Sequence, residues 1–280
     1  MPGPLQSGDL WCGMRLANRT RYSSSIPARL LWEKFYLLPL YYLARLSDLA
    51  REGMENSGSY HFADHVYAGR ASGRWGVGTL VDQLLLSLPA SRSFRNRYLH
   101  SRDRIVNYVR TTPRREWRIL SVPCGLPRDL VEAAHLLRDA PIRCYCLDID
   151  PAALDEARRM TASHGLTSFE FIRGDAFDAG AWPREMDIVT SSGFAEFLED
   201  QELIRFYTLC HGALRKGGTL VTSATVRNRL SDYMMTNLAE LLTHYREEAA
   251  LSRIFSRTPF GEVEMRRDSV GYQVLMAALR

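Results

Sequence analysis

Four short stretches place polar or glycine residues directly behind apolar runs: SVPCGLPRD at 121–129, CLDIDP at 146–151, RGDAF at 173–177 and TSSGF at 190–194. A carboxylate at the end of a strand accepts hydrogen bonds from hydroxyl or amino donors, and Asp148 and Asp175 stand in that position. Asp150, directly before Pro151, reads instead as a helix cap. Gly125 stands nearly alone where many nucleotide enzymes carry a glycine-rich loop. Pro123 and Pro127 each remove a backbone N–H, and a pyrophosphate cradle depends on such donors. The stretch therefore argues against a phosphate-bearing dinucleotide.

Metal chemistry has little support. Cysteines at 12, 124, 144, 146 and 210 form no CxxC pair, and the seven histidines show no ligand spacing beside them. His61 and His65 share a face if helical, but no third ligand has a clear claim. Cys144 and Cys146 lie in an alternating apolar stretch and read as small buried hydrophobes, which favours a reducing, cytoplasmic compartment.

The elements that must position these residues follow from periodicity. Residues 118–123 read as a strand, 129–140 as a helix, 142–149 as a second strand and 151–165 as a helix opened by Pro151 and closed by Gly165. FEFIRGD, MDIVTSSG and GGTLVTSATV supply three further strands, with a helix in DQELIRFYTLCHGAL. A long helical stretch is expected near 230–250, then two closing strands in VEMRRD and VGYQVLMAAL, at least one of them reversed. The fold class is α/β: a doubly wound, mostly parallel Rossmann-like sheet of about seven strands with helices on both faces. In such a sheet ligands bind outside the carboxyl ends of the strands, where all four opening stretches fall.

Residues 1–112 lack this alternation. LLWEKFYLLPLYYLARLSDLAREGM is amphipathic at helical spacing, so 1–112 is expected to be a helical cap or lid and 113–280 the ligand-binding domain. Tyr60, His61, His65, Tyr67 and Phe194 are candidate substrate contacts, since an aromatic enclosure favours a cationic group. FYLLPLYYLA at 35–44 contains a proline and falls far short of the roughly 20 residues needed to span a bilayer. Net charge is +4 with acids interleaved among the arginines of 91–118, which disfavours a nucleic-acid partner. Oligomeric state is not legible.

SVPCGLP, CLDIDPAALDEAR, FIRGDAFD and LRKGGTLVTSA, in this order, resemble the class I S-adenosylmethionine-dependent methyltransferase superfamily over about residues 115–280. The resemblance implies S-adenosylmethionine as cofactor. It implies that Asp148 accepts from both ribose hydroxyls, that Ile149 flanks the adenine, and that Asp175 and the Ala176 amide meet the adenine edge. Ser121, Pro123, Cys124 and Gly125 would line the cofactor from the first loop, with Ser191 and Ser192 beside it. Gly217 and Gly218 form the family's turn before strand five. Where the family pattern has an acid near the first loop position, this chain has Ser121, so another acid or a carbonyl would hold the amino end of the methionine tail, and Arg128 or a residue of the N-terminal segment its carboxylate. The reading that follows is methyl transfer to a small-molecule acceptor. The altered first loop keeps two alternatives open, transfer or cyclisation of the aminocarboxypropyl chain with release of methylthioadenosine, and a non-catalytic binding protein.

Overall fold

Strand β1 (Trp117–Ser121) shows how the sheet is sealed on both sides. Its alternation sends Ile119 to one face and Leu120 to the other, and neither is exposed. In this computed structural model, which describes residues 35–56, 58–112, 114, 116–238 and 242–280, the same alternation runs through the central strands. β2 is Ile142–Asp148, β3 Phe169–Arg173, β4 Met186–Ser191, β5 Leu214–Thr225, β6 Glu262–Arg267 and β7 Gln273–Leu279. They form one sheet in the order β3-β2-β1-β4-β5-β7-β6. The first five are parallel, and β7 runs antiparallel to both β5 and β6. The sheet is therefore mixed, with β7 as the reversed strand.

Ten described helices accompany it. α1 (Leu38–Ala44) follows a 3₁₀ turn, and α2 (Asp48–Glu55), α3 (Tyr60–Ala68), α4 (Val77–Ser87) and α5 (Pro89–Thr111) precede the sheet. α6 (Arg128–Leu136) and α7 (Pro151–Ser163) are crossovers, and α8 (Asp200–Ala213) joins β4 to β5. α9 (Arg229–Leu238) and α10 (Glu248–Phe255) lie between β5 and β6. None of the described helices is long and apolar enough to cross a membrane.

Leu120, Leu147, Val189 and Leu220 pack with Leu203, Phe206 and Tyr207 of α8 and Leu251 and Phe255 of α10. Ile119, Cys144, Ile188 and Val221 pack with Ile105 and Val109 of α5, Leu130 of α6 and Leu154 of α7. Each such fully buried aliphatic side chain contributes about 1.5–3 kcal/mol of transfer free energy, which is why the sheet carries helices on both faces.

The region near 230–250 differs from the single helical stretch expected: it holds α9 and α10, and residues 242–247 between them are non-helical. Arg246 explains the interruption. Its amide bonds to the Thr225 carbonyl and its buried guanidinium to the Ala195 carbonyl, contacts that hold the backbone away from a helical path. The expected turn at Gly217 and Gly218 is likewise part of β5, where the β4–β5 register shifts. Gly217 has φ +74°. A β-carbon on Gly218 would lie within about 3 Å of three backbone carbonyls, those of Met186, Arg215 and Asp187, so only glycine fits there.

The described residues of Met1–Ser91 and Arg229–Leu242 form one compact unit, and those of Arg92–Asn228 and Thr243–Arg280 another. The helical unit is organised around Asp82, whose side chain is fully buried. Its carboxylate accepts from the Ser47 hydroxyl, from Leu49 N at 3.2 Å and from Ser72 N at 2.8 Å. His65 Nε2 lies 3.3 Å from it and 3.0 Å from the Arg70 carbonyl. Asp82→Ala strands these donors in an apolar setting and is expected to cost on the order of 3 kcal/mol. Urea denaturation followed through amide exchange in α2–α4 checks this; protection equal to the wild type would contradict it.

Candidate functional site

Strand order reverses between β1 and β4, since the chain leaves β1 toward β2 and β3 on one side and occupies β4 and β5 on the other. Connections diverge at such a point and leave a crevice at the carboxyl strand ends. The loops after β1, β2, β3 and β4 all end there.

The loop after β1 is tied to the end of β2. Cys124 N donates to the Leu147 carbonyl at 2.9 Å, and Gly125 N donates to Asp148 Oδ2 at 2.8 Å. The Val122–Pro123 bond is cis and Gly125 has φ +47°. Pro123 and Pro127 have no amide hydrogen, and the Cys124 and Gly125 amides are engaged with β2. Four of the five residues 123–127 therefore offer no free backbone donor to an anion, so the loop is not a phosphate cradle. Ser121 is buried at the end of β1.

Asp148 is buried, and each carboxylate oxygen accepts one backbone amide: Oδ2 from Gly125 and Oδ1 from Asp150 at 3.0 Å. Each oxygen keeps further acceptor capacity. Burial raises its pKa above the ordinary carboxylate value, against the opposing pull of these amides. Ile149 beside it is 37% exposed, an apolar side chain at the strand end. Asp150 caps α7 by accepting from Ala152 N at 2.8 Å.

Asp175 folds its own turn: Oδ1 accepts from Phe177 N at 2.8 Å, leaving the other oxygen for a further donor. Ala176 is buried beside it. At the end of β4, the buried Ser191 Oγ has no hydrogen-bond partner among the described residues. Ser192 is half-buried. Phe194 packs edge-on against Phe206, with ring centroids 5.0 Å apart, and lies 6.3 Å from Phe177.

Ser121, Pro123, Cys124, Gly125, Asp148, Ile149, Asp175, Ala176, Ser191, Ser192 and Phe194 thus fall in the sheet unit, on loops at one end of the strands. Tyr60, His61, His65 and Tyr67 fall in α3 of the helical unit. There the Tyr60 and His61 rings lie 4.3 Å apart, while His65 is held by Arg70 and Asp82. No group of three or more metal-ligating side chains occurs among the described residues.

Two buried ion-pair sites have no signature in the sequence. Asp187, at the opposite end of β4, accepts from Arg118 N at 2.8 Å and pairs with Arg114 and Arg215. Arg97 of α5 pairs with Glu196 at 2.8 Å, and both are buried. Their partners are distant in sequence, so only the assembled sheet reveals them.

Residues 15–269 match the family described as "Putative methyltransferase". The chain belongs to this methyltransferase family. Its fold is that of the class I S-adenosylmethionine-dependent methyltransferases. The methyltransferase is 26% identical over 136 residues to a malonyl-[acyl-carrier protein] O-methyltransferase of Prosthecochloris aestuarii (strain DSM 271 / SK 413), covering 48% of this chain and 50% of that protein. It thus spans about half the length of that curated relative. Among solved structures, a possible exported protein from Bordetella parapertussis aligns with TM-score 0.77 at 20% identity, covering 98% of this chain and 99% of that one. The S-adenosylmethionine-dependent methyltransferase SibL in its apo form aligns with TM-score 0.57 at 16% identity, over 86% of this chain and 75% of that chain. Magnesium protoporphyrin IX methyltransferase from Synechocystis PCC 6803 with bound SAH aligns with TM-score 0.55 at 13% identity, over 83% of this chain and all of that one. These likenesses show the fold.

The raised pKa of Asp148 has a signed consequence for stability. The folded chain holds this proton more tightly than the unfolded chain, so the contribution is present below the unfolded value of about 3.9 and is lost as pH rises through the folded value. Urea midpoints of the ligand-free methyltransferase between pH 4 and 7 are expected to include this loss, and Asp148→Asn to remove it. Parallel pH curves for the two proteins would contradict the assignment.

Proposed function

We propose that this methyltransferase binds S-adenosylmethionine in the crevice lined by Gly125, Asp148, Asp175 and Ser191 and transfers its methyl group to a small-molecule acceptor. The observation that carries the reading is Asp148: a buried carboxylate, pinned by two backbone amides, with spare acceptor capacity on both oxygens. That is the chemistry a pair of vicinal ribose hydroxyls requires. Ile149 offers an apolar face for the adenine, and the free oxygen of Asp175 an acceptor for its exocyclic amine. The first loop, poor in donors, suits a nucleoside without phosphate.

When bound, S-adenosylmethionine supplies an activated methyl group on a sulfonium, a good leaving group that needs no assistance to depart. The chain's own task is then alignment and exclusion of water. Asp148 and Asp175 orient the nucleoside end. Cys124 and Gly125 keep the first loop against β2. The buried Ser191 hydroxyl is available to the cofactor, and Ser192 to Phe194 border the reacting group. Ser121 cannot supply a charge for the methionine amino group, so that end relies on neutral acceptors in the crevice.

Calorimetric titration with S-adenosylhomocysteine tests the reading. The wild type is expected to bind, and Asp148→Ala to weaken binding by about 100-fold, since two hydrogen bonds to a charged group are lost. Binding should also fall on acidification, at a pH above the ordinary carboxylate range, as Asp148 protonates. No binding by the wild type, or equal binding by the variant, would overturn the proposal. Product analysis gives the reaction: S-adenosylhomocysteine for methyl transfer, methylthioadenosine for attack at another carbon.

A further inference from the structure

The chain passes between its two compact units three times, at Ser91/Arg92, Asn228/Arg229 and Leu242/Thr243. Close to each passage, on the sheet side, a residue bonds to Glu196 in the short 3₁₀ turn after β4. Arg97, five residues beyond Arg92, donates from Nη1 to Oε1 at 2.8 Å. Thr225, three residues before Asn228, donates its hydroxyl to Oε2. His244, next after Thr243, donates its amide to the Glu196 carbonyl at 2.8 Å.

The contacts extend to the neighbours of Glu196. The Arg97 guanidinium lies over the Phe94 ring, 3.4 Å from its centroid, and against Gly193, where a β-carbon would come within 2.7 Å of Cζ. Gly193 has φ +84°, so both its conformation and this contact require glycine. Arg246 bonds to the Ala195 and Leu198 carbonyls and, through its amide, to Thr225. Gln273 Nε2 donates to Thr225 Oγ1 at 2.9 Å. A buried ion pair is weak support for stability, because desolvation offsets most of its attraction, and its best-attested use is to select one register. Here one carboxylate and its own carbonyl engage groups from all three passages.

We propose that Glu196 is a positioning residue: it holds the loop 192–198, including Gly193 and Phe194, in a register set jointly by the three points where the chain enters or leaves the sheet unit. The coupling stands on the contacts alone. Its bearing on methyl transfer rests on the functional reading above, which places that loop beside the reacting group.

Hydrogen–deuterium exchange of the full ligand-free chain tests it. Glu196→Gln keeps the shape and removes the charge. It should accelerate exchange together in 192–198, 223–226 and 243–247, by about tenfold, the equivalent of one charge-assisted hydrogen bond, while β2 stays protected. Glu196→Asp, which keeps the charge, should fall between Glu196→Gln and the wild type, a rescue that loss of packing alone would not produce. Acceleration confined to one segment, or Asp and Gln variants alike, would overturn the proposal. Should Glu196→Gln not fold, Thr225→Val removes the hydroxyl that links Glu196 to Gln273 and should still speed exchange in 192–198 and 243–247; unchanged rates there would overturn it equally. S-adenosylhomocysteine titrations alongside separate the two claims: a wild-type chain that shows the coupled exchange but binds no S-adenosylhomocysteine refutes the functional reading and leaves the coupling standing.

Discussion

The hydrogen bond from Gly125 N to the Asp148 carboxylate is the constraint on which the crevice depends. It joins the loop after β1 to the end of β2, and the Cys124 amide reinforces it one residue earlier. Because the loop's amides are used in this way, the carboxylate is fixed in place and its remaining lone pairs have a set direction. Burial keeps that carboxylate in a setting where its hydrogen bonds are strong and its ionisation is costly.

Asp187 has similar burial at the other end of β4 and a different fate. Arg114 and Arg215 pair with it, and the Arg118 amide donates to it. Cations close by pair with that carboxylate and offset its charge. Asp148 has backbone amides instead, which orient without neutralising. The difference between these two acids lies in the type of partner, since both are removed from water.

The histidines of the helical unit follow the same logic. His65, four residues from His61, is committed to the Arg70 carbonyl and the buried Asp82, the acceptor that also organises the entrance to α2. His61 is exposed. Helical spacing alone gave these two residues equal standing; their partners, one of them 17 positions away in sequence, separate them.

Local pattern was enough for the strand–helix alternation from 117 onward, for the reversed closing strand, and for Asp148 and Asp175 as the acids behind β2 and β3, because a two-residue period, a helix cap and a polar break are properties of neighbours along the chain. The bulge at Gly217–Gly218, the break at 242–247 and the division of the chain inside α5 were not legible that way. Each arises from a contact between segments far apart: β5 against the β4 carbonyls, Arg246 against Thr225 and Ala195, residues 229–242 with residues before 92. Glu196 is the clearest case. In sequence it is one acid among many; only the tertiary structure brings Arg97, Thr225 and His244 to it, because backbone geometry is set by near neighbours while a buried charge is defined by whatever the fold places around it.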